Sequence, residues 1–173
     1  MSVSQPISNF DILKKLKGDT RLIFYEDLNN IPNIIPLLDK GSLVILYKSK
    51  PDFGHWTALV HTPEGIEYFD SYGDKPEGAK KNVNRSFLIE TNQYQNQLTK
   101  LLYDASLTTP IHFNNHRLQK LSKDIATCGK HVVVRIVNRN LTTDEYNKQL
   151  RKFAKKNKLT TDQAVNFLFN SIK

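Results

Sequence analysis

The chain contains one cysteine, one methionine and one tryptophan among its 173 residues. A single cysteine excludes an internal disulfide and favours a reducing compartment. No run approaches the ~18 consecutive apolar residues that a membrane span requires. Residues 1–6 lack the charged and apolar regions of a signal peptide. The expectation is a protein that is not secreted and does not enter a membrane, kept inside a cell or enclosed in a particle made there. Acidic residues are the minority, 17 against 25 Lys and Arg. The resulting formal charge of +8 and pI near 9.5 favour contact with polyanions without naming one. A hydrophobic content of 39% suits an ordinary globular chain, and the length predicts one domain, residues 1–173, with its own core.

The chain turns on residues 54–73, where two apolar-rich runs flank Pro63-Glu64-Gly65 and read as a hairpin. With Pro63 and Glu64 in the turn, facing residue numbers sum to about 127. Asp70 then lies opposite Thr57 and diagonal to His55, on the same face. A one-residue slip would separate them, so the inference depends on that turn. Ser42–Lys48 is a compact apolar run before the hairpin, giving three consecutive strands in an antiparallel meander.

Elsewhere the spacing predicts a short helix over 7–16 with Gly18 beyond it, irregular cover over 25–38, and a loop over 73–85. It also predicts a helix over 93–105 and a short strand at 110–113, whereas 87–89 is too short to assign. Thr142-Thr143-Asp144-Glu145 and Thr160-Thr161-Asp162-Gln163 both fit the Thr-x-x-Glu/Gln capping box and predict two C-terminal helices. Residues 131–137 are ambiguous. Their β-branched content favours a strand, whereas Thr127 as a cap favours a helix that opens at Cys128.

A thiol, an imidazole and a carboxylate are the parts of a cysteine nucleophile system. At a helix N-terminus beside an imidazolium, Cys128 would ionise below the free-thiol value of about 8.5. His55 could then carry the proton to a leaving amine while Asp70 fixes the imidazole tautomer. The Cys128 backbone N–H is one donor for an oxyanion, and Gly129 would leave the space beside the sulfur open.

Gly54-His55-Trp56, a hairpin, Phe69-Asp70-Ser71-Tyr72-Gly73, and Gln119 upstream of Thr127-Cys128-Gly129 together resemble the adenovirus endopeptidase and its relatives. These include the SUMO-specific proteases and the capsid-maturation proteases of large DNA viruses and virophages. The matched region covers somewhat under half the chain. The resemblance implies an α+β, adenovirus-protease-like (papain-like) fold, with a mixed sheet packed on a central helix that starts at the cysteine, and extra C-terminal helices. It resolves residues 131–137 in favour of the helix. It implies Cys128 as nucleophile, His55 as general base and acid, Asp70 as orienting carboxylate, and Gln119 as oxyanion donor. Trp56 would stand near the substrate channel beside Gly129. Gln119 lies nine residues before Cys128, where the family has six or seven. Either residues 120–125 bulge or Asn115 supplies the donor instead.

The implied activity is endopeptidase cleavage after glycine-containing motifs in viral capsid or core precursors. It would take place in the virion and the infected cell, whether cytoplasm or virus factory. The chemistry would need no cofactor or metal, with DNA or a peptide as an activator by analogy, and the protein would act as a monomer on a protein substrate. A SUMO or ubiquitin-like deconjugase is the alternative reading of the same machinery. A non-catalytic basic module that binds nucleic acid without sequence preference is the alternative of another class, suggested by the basic residues between Lys148 and Lys158. His112 and His116 share a four-residue spacing without the acid of a zinc-protease helix and do not suggest a metal site.

Overall fold

The computed structural model describes residues 2–173 as an α+β fold around a mixed five-stranded sheet, ordered β1-β2-β3-β4-β5. The strands are β1 (Arg21–Phe24), β2 (Ser42–Lys50), β3 (Phe53–Thr62), β4 (Gly65–Phe69) and β5 (Ile111–Phe113). The central three form the expected antiparallel meander, and Ala58 faces Phe69 as Thr62 faces Gly65, the register that the Pro63-Glu64 turn predicts. The two edges run parallel to their neighbours. β1 escapes a sequence reading because it has only four residues, and its partner β2 lies across an intervening segment.

Six helices accompany the sheet: α1 (Asn9–Leu16), α2 (Arg85–Glu90), α3 (Gln97–Ser106), α4 (Cys128–Val137), α5 (Thr143–Lys156) and α6 (Thr161–Ser171). Alternating side chains of β2 enter different cores, so the strand is apolar throughout rather than at every second position. Leu43, Ile45 and Tyr47 meet Leu98, Leu101 and Leu102 of α3 and the buried Tyr25 and Leu28. Residues 25–38 are therefore a structural part of that core, wound into two 3-10 turns, and not merely a cover. Val44 joins Ala58, Val60, α1, α4, α5 and α6 on the opposite face.

Several assignments differ from the sequence expectation, beginning with α1, which starts at Asn9 behind the capping Ser8 rather than at residue 7. Residues 85–90 form a short helix capped by the Asn84 side chain. The helix expected from residue 93 starts at Gln97, because Gln93 instead bridges the β2 backbone, accepting from Lys48 N at 2.9 Å and donating to Lys48 O at 3.0 Å. Within the 73–85 loop a 3-10 turn buries Lys80, whose ammonium donates to the carbonyls of Gln93 and Gln95. Both C-terminal capping boxes form as their sequences require.

The valine-rich segment is a helix. Its β-branched residues each cost at most about 0.7 kcal/mol relative to alanine in a helix. Full burial of one such side chain is worth about 1.5–3 kcal/mol, and Val132, Val133, Val134 and Ile136 are all at most 2% exposed. Packing therefore overrides propensity.

The same helix also buries three polar side chains, each with its own partners. Lys130 Nζ donates to Ser2 O at 2.6 Å and to Asn166 Oδ1 at 2.9 Å. His131 Nε2 meets Asp162 Oδ1 at 3.0 Å. Arg135 Nε donates to Glu67 Oε2 of β4 at 2.6 Å, both side chains being fully buried. The Arg135 guanidinium also caps the carbonyls of Asn138 and Leu141 and lies 4.8 Å from the Tyr146 ring centre. No helix among the described residues is long and apolar enough to cross a membrane.

Removing one member of a buried ion pair strands the other charge, at a cost of about 3–5 kcal/mol. Arg135→Met is accordingly expected to lower unfolding free energy by about that amount in urea denaturation. Adding Glu67→Leu should recover part of the loss, the two freed carbonyls limiting the recovery. A single variant as stable as the wild type would contradict this account of the helix anchor.

Candidate active site

β3 begins, and β4 and β5 end, at the same edge of the fold, so the sheet delivers three segments to one place. His55 enters on β3 opposite Tyr47 of β2. β4 pairs through Phe69, and Asp70 follows it directly. The predicted approach forms: His55 Nε2 lies 2.9 Å from Asp70 Oδ1. That carboxylate oxygen also accepts from Tyr72 N at 2.8 Å. Asp70 is completely buried, and Asn114, just after β5, donates to its carbonyl at 2.8 Å. The Tyr72 ring stacks on His55 at 4.9 Å between centres, at 21°. Ring and carboxylate together fix the imidazole plane.

Cys128 is the first residue of α4 and is partly exposed. It lines a cleft of about 870 Å³ together with His55, Trp56, Tyr72 and Gln119. With Nε2 engaged by Asp70, the other ring nitrogen of His55 is left for the thiol. Burial disfavours the His55 cation, but the Asp70 carboxylate and the adjoining Cys128 sulfur outweigh it and raise the imidazole to about 10. Burial also opposes the Cys128 thiolate, but His55 and the backbone N–H groups of Trp56 and Gly129 reverse that effect and hold the thiol below its usual range. The hydroxyl of Tyr72 is pushed up to about 12 by burial and by the nearby Cys128 and Asp70 charges, so it stays protonated.

Gln119 reaches the cleft despite its long spacing from Cys128, because residues 120–127 bulge as a loop. Asn115 is exposed and does not line the cleft. Gln119 is 2% exposed, and its Oε1 accepts from Ser71 Oγ at 2.7 Å. Its backbone N–H is fixed by Ser71 O at 2.9 Å. The Ser71 hydroxyl thus occupies the carbonyl end of the amide and leaves the NH₂ end as the donor. In the sequence Ser71 stands within the Phe69–Gly73 motif with no role of its own, because a serine in a turn-like run carries no sign of a distant amide partner.

Two expectations require correction. Gly129 does not leave open space beside the sulfur: it is buried, and a Cβ there would stand 2.6 Å from Ile7 Cγ1 and 3.0 Å from Trp56 Cδ1. The glycine permits close packing of the N-terminal segment and Trp56 on α4, and Trp56 alone of the two lines the cleft. Trp56 Nε1 donates to Ile7 O at 3.3 Å, which completes this wall. Thr127 occupies the N-cap position, but its hydroxyl does not cap the helix and donates instead to Asp162 Oδ1 at 2.5 Å.

His112 and His116 lie apart from this chemistry. His112 Nε2 bonds Glu64 O, and His116 Nε2 lies 3.3 Å from Asp144 Oδ1. No cluster of three metal-ligating side chains occurs among the described residues. The basic residues Lys148, Lys152, Lys155, Lys156 and Lys158 are exposed, whereas Tyr146, Leu150 and Ala154 form the buried stripe of α5.

No protein-family model matches the chain. It is 30% identical over 164 residues to uncharacterized protein V9 of Sputnik virophage, an alignment spanning 94% of this chain and 93% of that protein. With likeness running through nearly the whole of both sequences, the chain belongs to the family of virophage protein V9.

Proposed function

We propose that this protein is a cysteine endopeptidase with an adenovirus-protease-like (papain-like) fold, in which Cys128, His55 and Asp70 are the catalytic triad and Gln119 is the oxyanion donor. The observation that carries the reading is the meeting, in one cleft, of Cys128 at a helix start, His55 paired to a buried Asp70, and an amide whose NH₂ end is free.

The Cys128 thiolate attacks the scissile carbonyl carbon, and the carbonyl oxygen becomes an oxyanion. Gln119 Nε2 and the Cys128 backbone N–H are the donors available to it. Collapse of the tetrahedral adduct breaks the C–N bond, and the His55 imidazolium gives its proton to the departing amine. The thioester that remains is attacked by water, which loses its proton to His55, and the second adduct expels the thiolate. Asp70 stabilises the imidazolium and holds its tautomer throughout.

The Trp56 and Ile7 wall beside Cys128 suits a slim segment, such as one containing glycine. Kinship with a virophage protein supports a viral setting; on the protease reading the substrates are capsid or core precursors cleaved during virion maturation, in the infected cell and particle. The exposed lysines of α5 would let DNA serve as an activator by attraction to its phosphates. Cleavage of a Gly-Gly precursor peptide without cleavage of a SUMO fusion separates maturation from deconjugation.

Cys128→Ala should abolish hydrolysis of the Gly-Gly peptide while leaving the circular dichroism spectrum and any DNA binding unchanged. Undiminished cleavage would sink the assignment and leave the non-catalytic basic module standing. Loss of an oxyanion donor costs about 10²–10³ in kcat, so Gln119→Ala should fall in that range, whereas Asn115→Ala should not. Ser71→Ala removes one hydrogen bond that orients the amide, and should lower kcat about tenfold with little change in KM. Equal losses at Asn115 and Gln119 would reject this assignment of the donor.

The pH profile has a definite sign. Activity should rise as Cys128 ionises, with a midpoint below the free-thiol value of about 8.5. It should fall as the pH climbs through the His55 value of about 10, because the proton for the leaving amine is then lost. Steady-state kcat/KM measured across pH checks both limbs. A rising limb at the free-thiol position would contradict the ion pair.

A further inference from the structure

We infer that Asp162, on the first turn of α6, is a positioning residue that ties the strand of chain bearing the oxyanion donor to the start of the nucleophile helix. The inference rests on the protease reading and adds to it a residue outside the cleft. Asp162 is 2% exposed and does not line the cleft. Its two carboxylate oxygens divide between the two segments. Oδ2 accepts from Lys120 N at 3.0 Å, one residue after Gln119. Oδ1 accepts from Thr127 Oγ1 at 2.5 Å, one residue before Cys128, and from His131 Nε2 at 3.0 Å, one turn into α4. The neighbouring Thr161 hydroxyl donates to Leu118 O, one residue before Gln119.

The loop between Gln119 and Cys128 is the long departure from the expected spacing, so its two ends have no short covalent tether. A single carboxylate replaces that tether. The Thr127 hydroxyl, turned to Asp162 rather than to the helix, explains why the N-cap residue does not cap. Burial holds His131 below the usual imidazole range despite its bond to Asp162, and the His55 charge pushes the same way. A neutral His131 donates its Nε2 proton to Asp162, and the carboxylate keeps the negative charge that all three donors need.

Attack geometry is steep in distance: a displacement of about 1 Å can cost about 100-fold in rate. The test uses the full chain, comparing wild type, Asp162→Ala, Thr127→Val and Thr127→Ser. Iodoacetamide alkylation of Cys128 is followed against pH, kcat and KM are measured on the Gly-Gly peptide, and thermal melting is run in parallel. Asp162→Ala and Thr127→Val are expected to lower kcat about 10- to 100-fold at little-changed KM. They should also move the alkylation midpoint up towards about 8.5. Thr127→Ser, which retains the hydroxyl, should recover the wild-type midpoint.

A folded Asp162→Ala or Thr127→Val protein with the wild-type midpoint and kcat, and only a lower Tm, overturns the inference and leaves Asp162 a stability residue. Should Asp162→Ala fail to fold, Thr127→Val decides, since it removes one hydroxyl and keeps the side-chain shape. A wild-type protein with an ordinary thiol profile and no hydrolysis overturns the protease reading itself, and that failure is visible in the wild-type measurement alone.

Discussion

The rest of the structure depends on the burial of residues 129–136 in the helix that begins at Cys128. Its apolar side chains fill the core between the sheet and α1, α5 and α6. Its polar side chains reach three separate parts of the chain: Lys130 the N-terminal segment and Asn166, His131 the start of α6, and Arg135 strand β4. Each contact satisfies a group that would be costly to bury alone. Together they orient the helix in rotation and along its axis, and so decide where its first residue points.

The cleft follows from that placement and from sheet register. An antiparallel β3–β4 pair puts the start of one strand beside the end of the other, which sets His55 next to Asp70. A parallel β4–β5 pair then sends the chain out in the direction of β4, so residues 114–119 arrive beside Asp70 and Ser71. Ser71 and Asp162 do complementary tasks behind the cleft. One orients the Gln119 amide, and the other clamps the chain on either side of the bulged loop. Neither faces the cleft: Ser71 bonds Gln119, which lines it, and Asp162 bonds Lys120 and Thr127, the chain neighbours of Gln119 and Cys128.

What the sequence revealed was local or periodic. Pro63-Glu64-Gly65 fixed the hairpin register because turn chemistry and period-two alternation agreed, and the capping boxes at Thr142 and Thr160 formed because both partners lie within four residues. What escaped was long-range. Gln93 imitates the start of a helix in sequence but spends its amide on the β2 backbone. Asp162 sat in the middle of a capping box, where an acidic residue suits a helix N-terminus anyway. The preference of residues 131–137 for a strand was real and was overridden by burial. Glu67 and Arg135, separated along the chain, carried no pattern that would pair them in advance.

The most direct test is labelling of the folded protein at neutral pH with an electrophilic peptide probe ending in glycine, followed by mass spectrometry. The account predicts rapid modification of Cys128, slowed sharply in His55→Ala and blocked by prior alkylation. Labelling at the rate of an unactivated thiol, unchanged in His55→Ala, would contradict it.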